Sequence, residues 1–438
     1  MHTADTRPEL RPVESIVVPD AKHGRVLVLR DTQGVTDSNA VIPPHLVPIV
    51  ARFSGQMSCA EIARQAGAEL GTTVPVHVVV RLANELDEAC FLTGARFQQA
   101  RARVERDFAL AKVRPASHAG GAYHADAAKL RSYLDTDCLG AARRANGRAN
   151  GTATGVASTP KPSGAPPSTR NGSPPKRMVG LVAPHIDPWR GAIGYGHAYN
   201  ALARALPDEA DTFVLLGTSH APMREPFALC RKAFATPLGA LEPDVEAIDR
   251  VAEACSFDAY ADQFNHKREH SLEFQAVFLK HVLGDRKARI VPVLAGIGRH
   301  QARGTDPSDD RDVRSFLEAL QGLVASRPGR TMLVAGADFA HVGPRFGDEK
   351  AYGDRERETL ERTDRASLAC AEARDARAFW SDVARDLDSR RVCGLAPIYT
   401  LLEALPGGVQ GETLHYEQTV DDEDGSIVSH AAVAFYAA

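Results

Sequence analysis

Three stretches decide how this chain folds: MVGLVAPH (178–185), DTFVLLGTSH (211–220) and TMLVAGADFAH (331–341). Each carries a run of aliphatic residues that reads as a strand covered on both faces, and each has a histidine within a few residues of the run's end. In a parallel sheet all strands point the same way, and ligands bind in the crevice outside their carboxyl ends. His185, His220 and His341 are therefore expected to converge although they are far apart in sequence. Cys393, in RVCGLAPIYTLLEAL (391–405), adds a fourth donor at the head of an apolar helical run, where the helix dipole favours a thiolate.

Working outward, ARIVPVLAG (288–296) supplies a further apolar strand. Helical stretches lie between the strands, among them GYGHAYNALARAL (194–206), SLEFQAVFLKHVLG (271–284) and VRSFLEALQGLVAS (313–326). The end of the chain reads as a hairpin, with ETLHYEQTV (412–420) and SIVSHAAVAFY (426–436) on either side of the acidic turn DDEDG. Residues 177–438 are thus expected to form a layered α/β/α domain with a mixed, largely parallel sheet.

The preceding sequence divides into three parts. In residues 1–100, RVLVLRDTQGVTDSNAVIP (25–43) reads as two strands around a Gln33-Gly34 turn. Ser58 and Glu61 make a capping box at the start of one helix, and Val79, Leu82, Leu86 and Cys90 repeat at helical spacing in a second. The pattern predicts a small winged-helix-like α+β domain. DNA binding is the reflex reading of such a fold, but residues 45–100 hold four arginines against five carboxylates and no lysine. A basic face to neutralise phosphates is missing. Residues 101–139 form a connector that includes RPASHAGGAY (114–123). Residues 140–176, rich in Gly, Ser, Thr and Pro and free of acidic residues, are expected to be a flexible insertion.

The 438 residues carry 44% hydrophobic and 25% charged residues and a net charge of −4, as an ordinary globular protein does. Nothing here points to nucleic acid or to a membrane surface. The polar start MHTADTRPELRP shows no apolar signal core and no run approaches a membrane span, so a cytoplasmic location is expected. Seven cysteines without a CxxC pair argue against a disulfide framework or a zinc ribbon.

Imidazole and thiolate suit borderline divalent metals, and a reactive centre leaves a position open for water or substrate. His185, His220 and Cys393 provide three such ligands. Asp338 and His341, spaced D-x-x-H, are expected on one side of a turn or a first helical turn, as a fourth ligand or a proton-moving pair. In Glu269-His270-Ser271-Leu272-Glu273, the carboxylates are read either as helix caps or, with His270, as a general acid or base near the metal. Asp187, Trp189 and Arg190 are read either as pocket lining or as residues packing and pairing among themselves. Ser219 after a strand suggests a nucleophile elbow, but Ala221-Pro222 replaces the small residue that such a turn needs.

The ordered set RPASHAGGAY, LVAPH, HAY, LLGTSH, EHSLE, IVPVLAG, DFAHVG and CGLAPI resembles the Memo family. That family is protein B of the AmmeMemoRadiSam system and shares the fold of the class III extradiol ring-cleaving dioxygenases. The resemblance implies iron or copper, with zinc less favoured, on His185, His220 and Cys393. It places Asp338, His341, Glu269 and His270 around the metal as the catalytic group. It further implies association with a radical SAM enzyme and an AMMECR-type protein. The N-terminal region resembles PqqD-like domains, which bind peptides for radical enzymes. Two departures stand out. Ile186-Asp187-Pro188-Trp189 replaces the glycine and tyrosines common after the first histidine, so substrate contacts do not transfer. Cys393 stands where ring-cleaving relatives use a carboxylate, which shifts the centre towards copper or altered iron redox chemistry. The expected function is a metal-dependent redox enzyme of unknown substrate. The alternatives are a non-catalytic peptide- or protein-binding partner of a radical SAM system, or a zinc hydrolase.

Overall fold

A computed structural model of the chain describes residues 1–149, 177–298, 304–421 and 423–437. Its N-terminal region is a small α+β unit in which β1 (Glu14–Asp20), β2 (Gly24–Arg30) and β3 (Ala40–Ile42) form an antiparallel sheet in that order. The pair β2/β3 is the one expected around Gln33-Gly34. β1 escapes the sequence reading because Pro19 argues against a strand; it is tolerated here on an edge. Ile62, Ala66, Val79 and Leu82 from the helices Cys59–Leu70 and Val76–Glu88 build a core of their own with Leu29 and Ile42. Ser58 accepts a hydrogen bond from the Glu61 amide at 3.3 Å, and the Glu61 carboxylate accepts one from the Ser58 amide at 2.8 Å, completing the expected capping box. Cys90, expected on the second helix, lies beyond its end at φ +63°, where the chain turns to bury Phe91.

The remainder is built on an eleven-stranded sheet. Its strands are β4 (Val113–Arg114), β5 (Arg177–Ala183), β6 (Thr212–Thr218), β7 (Phe227–Leu229), β8 (Ala233–Thr236), β9 (Gly239–Pro243), β10 (Arg289–Ala295), β11 (Thr331–Gly336), β12 (Asp338–Val342), β13 (Val409–Val420) and β14 (Ile427–Ala437). The order is β12-β14-β5-β11-β6-β10-β9-β8-β4, with β13 on β14 and β7 on β10. Neighbours from β5 to β9 in this order run parallel, and the C-terminal hairpin enters antiparallel to β5.

Alternate residues of the central strands face opposite layers. Val214, Leu216, Leu333 and Ala335 join one core with the helices Arg311–Ser326 and Leu395–Ala404. Phe213, Leu215, Met332 and Val334 join the other with Pro188–Ala205 and His270–Leu283. Both faces are covered, which is why these strands read as continuous apolar runs.

The segment expected to lack regular structure from residue 140 opens instead as a helix, Gly140–Ala149. It continues from a helical stretch whose Cys138 and Leu139 are buried, and Asn200 donates to the Leu139 carbonyl at 2.8 Å, so tertiary packing outweighs the weak local propensity. Residues 150–176 of the expected insertion lie outside the described residues. No helix among the described residues is long and apolar enough to cross a membrane.

Candidate metal centre

β5, β11 and β6 are adjacent, in that order, and their carboxyl ends deliver His185, Asp338 and His220 to one edge of the sheet. Adjacent strands lie about 4.8 Å apart, so donors leaving such neighbours come within reach of one ion. Ligand atoms of His185, His220 and Cys393 lie within 4.8 Å of one another, as do those of Asp338, His341 and Cys393 and those of His220, Glu269 and His270. Every residue expected at the centre is therefore brought into it.

The two early histidines are held in defined tautomers. His185 is buried, and its Nδ1 lies 2.9 Å from the Gly336 carbonyl, so Nδ1 carries the proton and Nε2 is the free donor, 3.1 Å from Cys393 Sγ. His220 Nδ1 lies 2.9 Å from the Glu269 carboxylate, whose other oxygen accepts from the His220 amide at 2.9 Å. Its Nε2 is likewise left for a ligand. Such a carboxylate behind an imidazole fixes ring orientation and raises ligand basicity. Glu269 also caps the helix His270–Leu283 by accepting from the Ser271 amide at 3.0 Å. The carboxylate is thus a helix cap, as one reading had it, and at the same time the partner of His220.

Cys393 precedes Gly394, the cap of the helix Leu395–Ala404. The Gly394 amide donates to the Asp338 carbonyl at 2.9 Å, and a Cβ on residue 394 would sit 2.4 Å from that oxygen. Only glycine lets the chain pass this close and present the thiol inward. The expected thiolate is not favoured by the protein alone. Burial, followed by the Asp338 charge, pushes the Cys393 thiol well above its ordinary range, and that outweighs the helix start.

Asp338 and His341 occupy β12, not the turn or helical turn expected from their spacing. In a regular strand residues i and i+3 face opposite sides. Here Asp338 pairs with His430 and His341 with Val428, so three steps on β12 match two on β14. This bulge returns both side chains to one face.

The protonation states divide the centre. Burial, then the His220 charge, holds His185 at about 4 and His270 well below its ordinary value; burial holds His341 at about 4. Burial alone would lower His220, but Glu269 outweighs it and raises the imidazole. Burial would likewise raise Glu269, but His220 and then His270 hold it well below the carboxylate range. Burial raises Asp338. Glu269 and His220 thus favour each other's charged form, while burial holds the neighbouring rings towards neutrality.

His270 stacks on His220 with ring centroids 4.4 Å apart, and its Nδ1 lies 3.4 Å from Glu269. His118 escaped the sequence reading although RPASHAGGAY contains it. Its ring is 5.8 Å from that of His270, and its Nδ1 lies 3.0 Å from the fully buried Glu273. Glu273 also accepts from Tyr123, the amides of Ser117 and His118, and the buried Arg114. It ties the 114–123 segment beside the centre, a role beyond the helix-end matching its position suggested. The histidine in that motif was the available signal.

Around the entrance, Arg190 Nε lies 2.5 Å from Asp187, and Trp189 donates to the Gly121 carbonyl at 2.9 Å while meeting the rings of His124 and Tyr133. These residues pair and pack locally, and Asp187, Trp189 and Arg190 also line a cavity with His118, so both readings apply. Ser219 Oγ donates to the Ala221 carbonyl at 2.8 Å, with no histidine accepting from it among the described residues, so a serine nucleophile lacks its base.

The fold and donor set define a histidine–cysteine centre at the carboxyl edge of a three-layer α/β domain. The model of the Memo-like protein family matches residues 114–434, and the chain belongs to that family. A MEMO1 family protein of Aquifex aeolicus is 26% identical over 422 residues, covering 94% of this chain and 97% of that one. One from Thermus thermophilus is 33% identical over 168 residues, covering 38% and 45%. One from Methanosarcina acetivorans is 28% identical over 263 residues, covering 59% and 86%.

Glu269→Gln is expected to weaken metal binding roughly 10–100-fold, the range for loss of an outer partner of a ligating histidine. Competition with a chromogenic chelator measures it. An unchanged affinity would mean that the His220–Glu269 contact does not orient the ligand.

Proposed function

We propose that this protein is a non-haem iron- or copper-dependent redox enzyme, dioxygenase-like in its scaffold, with His185, His220 and Cys393 as metal ligands. The observation carrying this reading is the pair of histidines whose Nδ1 atoms are taken by protein acceptors, leaving two Nε2 atoms and one thiol to converge. Two imidazoles and a thiolate fit borderline metals, and three protein ligands leave positions for a substrate. When bound, iron or copper supplies one-electron redox and Lewis-acid chemistry at this point.

The surrounding residues divide the remaining work. Glu269 orients His220. The neutral ring of His270, beside His220, accepts a proton from a substrate entering on that side. On the opposite side Asp338 and His341 flank Cys393, and loading the centre requires the thiol to give up its proton. Elemental analysis of anaerobically purified full-length protein tests the assignment. Near-stoichiometric iron or copper supports it; zinc in their place, or no metal, removes the redox reading.

A further inference from the structure

A cavity of about 340 Å³ lies between the N-terminal unit and the metal centre. It is at the small end of the roughly 300–1,000 Å³ typical of ligand sites. His118, His220 and His270 form its inner wall, and Glu14, Arg30 and Asn39 of the N-terminal unit form the outer one. The two parts are held together there. Lys267 Nζ donates to the Gly34 carbonyl at 2.8 Å, and Arg268 pairs with Asp37 at 3.2 Å. Gly34, at φ +69°, packs so closely that a Cβ would lie 2.3 Å from Arg268 Cδ.

The charged groups bordering this chamber are Glu14, Arg30, Asp31, Asp37, Arg268 and Glu269. Four are already engaged. Asp31 pairs with Arg11 at 3.1 Å and accepts three backbone amides, Asp37 and Arg268 pair with each other, and Glu269 holds His220. Glu14 and Arg30 are different: among the described residues neither side chain forms a hydrogen bond or an ion pair. They sit directly opposite each other in the β1/β2 register, so they project on one side of the hairpin. Both line the same chamber as His220 and His270.

We infer that the chamber takes a small zwitterion of the α-amino-acid type, with its ammonium on Glu14, its carboxylate on Arg30 and its other end towards His220, His270 and the metal. This rests on the metal-centre reading above and adds the class of ligand. The N-terminal unit then supplies the specificity of a centre whose metal ligands all lie in the α/β domain.

Three catechols with the same two-carbon spacer that differ in the charged groups they carry test it on the iron(III)-loaded full chain: L-dopa (zwitterion), dopamine (cation) and 3-(3,4-dihydroxyphenyl)propionate (anion). The catecholate-to-iron absorption band reports binding. L-dopa is expected to bind roughly 10-fold or more tightly than either analogue, the effect of one charge contact worth about 1.4 kcal/mol. Arg30→Gln should bring L-dopa to the level of dopamine, and Glu14→Gln to that of dihydroxyphenylpropionate. Both residues are exposed at a hairpin end, so folding is not at stake. Equal affinity for all three with iron retained, or unchanged preferences in the variants, overturns the inference and leaves the metal centre standing. A chain that takes up neither iron nor copper overturns both.

Discussion

If His185, His220 and Cys393 hold the metal as proposed, substitution of His185 by alanine is expected to strip the centre of it. The loss should exceed the roughly 10–100-fold expected when only an outer partner is removed. The expectation follows from burial and geometry together. His185 is 2% exposed, its amide is held by Asp338 at 2.8 Å, and its Nε2 faces Cys393. His341→Ala provides the contrast. His341 belongs to the Asp338–Cys393 side and is not in the His185–His220–Cys393 set, so this variant should retain metal. Metal content after desalting, with circular dichroism as the folding control, checks both. Retention of metal by His185→Ala would remove the assigned ligand set.

Glu273→Gln is expected to destabilise the protein by roughly 3–5 kcal/mol, the cost of leaving a buried charge without its partner. Arg114 and Glu273 are both fully buried, and the glutamine would leave the guanidinium facing only the carbonyls of Pro115, His266 and Glu269. Chemical denaturation measures the loss, and replacing Arg114 with methionine in the same chain should recover part of it. The pair also has a pH signature. Burial alone would raise Glu273, but Arg114 and then His118 hold it at about 2, against an ordinary 4.5. A carboxyl lowered on folding contributes fully above its unfolded value. That contribution drains away as pH falls from about 4.5 towards 2. Wild type should therefore lose stability across that acid window, and the glutamine variant should show a flatter profile there. Because Arg114 also donates to the Glu269 carbonyl, the variant is expected to loosen the carboxylate behind His220 as well.

The parts of the fold readable from sequence were those buried on both faces. β5, β6 and β11 appear as uninterrupted apolar runs because helices cover each side, and that visibility located His185 and His220 at their ends. Cys393 was visible for a related reason, since its helix is apolar nearly throughout. The short strands β7 to β9 were not legible, because three to five residues carry too little periodicity to separate from loop. His118 was hidden differently. Its position depends on Glu273, more than a hundred residues away, and no local pattern encodes a pairing at that range. The same holds for Glu14 and Arg30, whose placement over the histidines depends on how two separately cored parts of the chain meet.

The bulge in β12 makes the centre sensitive to counting as well as to chemistry. Deleting Phe339 or Ala340 would restore even pairing with β14 and still leave the aspartate and the histidine on one face, since residues two apart in a regular strand face the same side. A related sequence that keeps both intervening residues but pairs evenly with β14 would instead turn the aspartate and the histidine to opposite faces, carrying the same letters in a different centre.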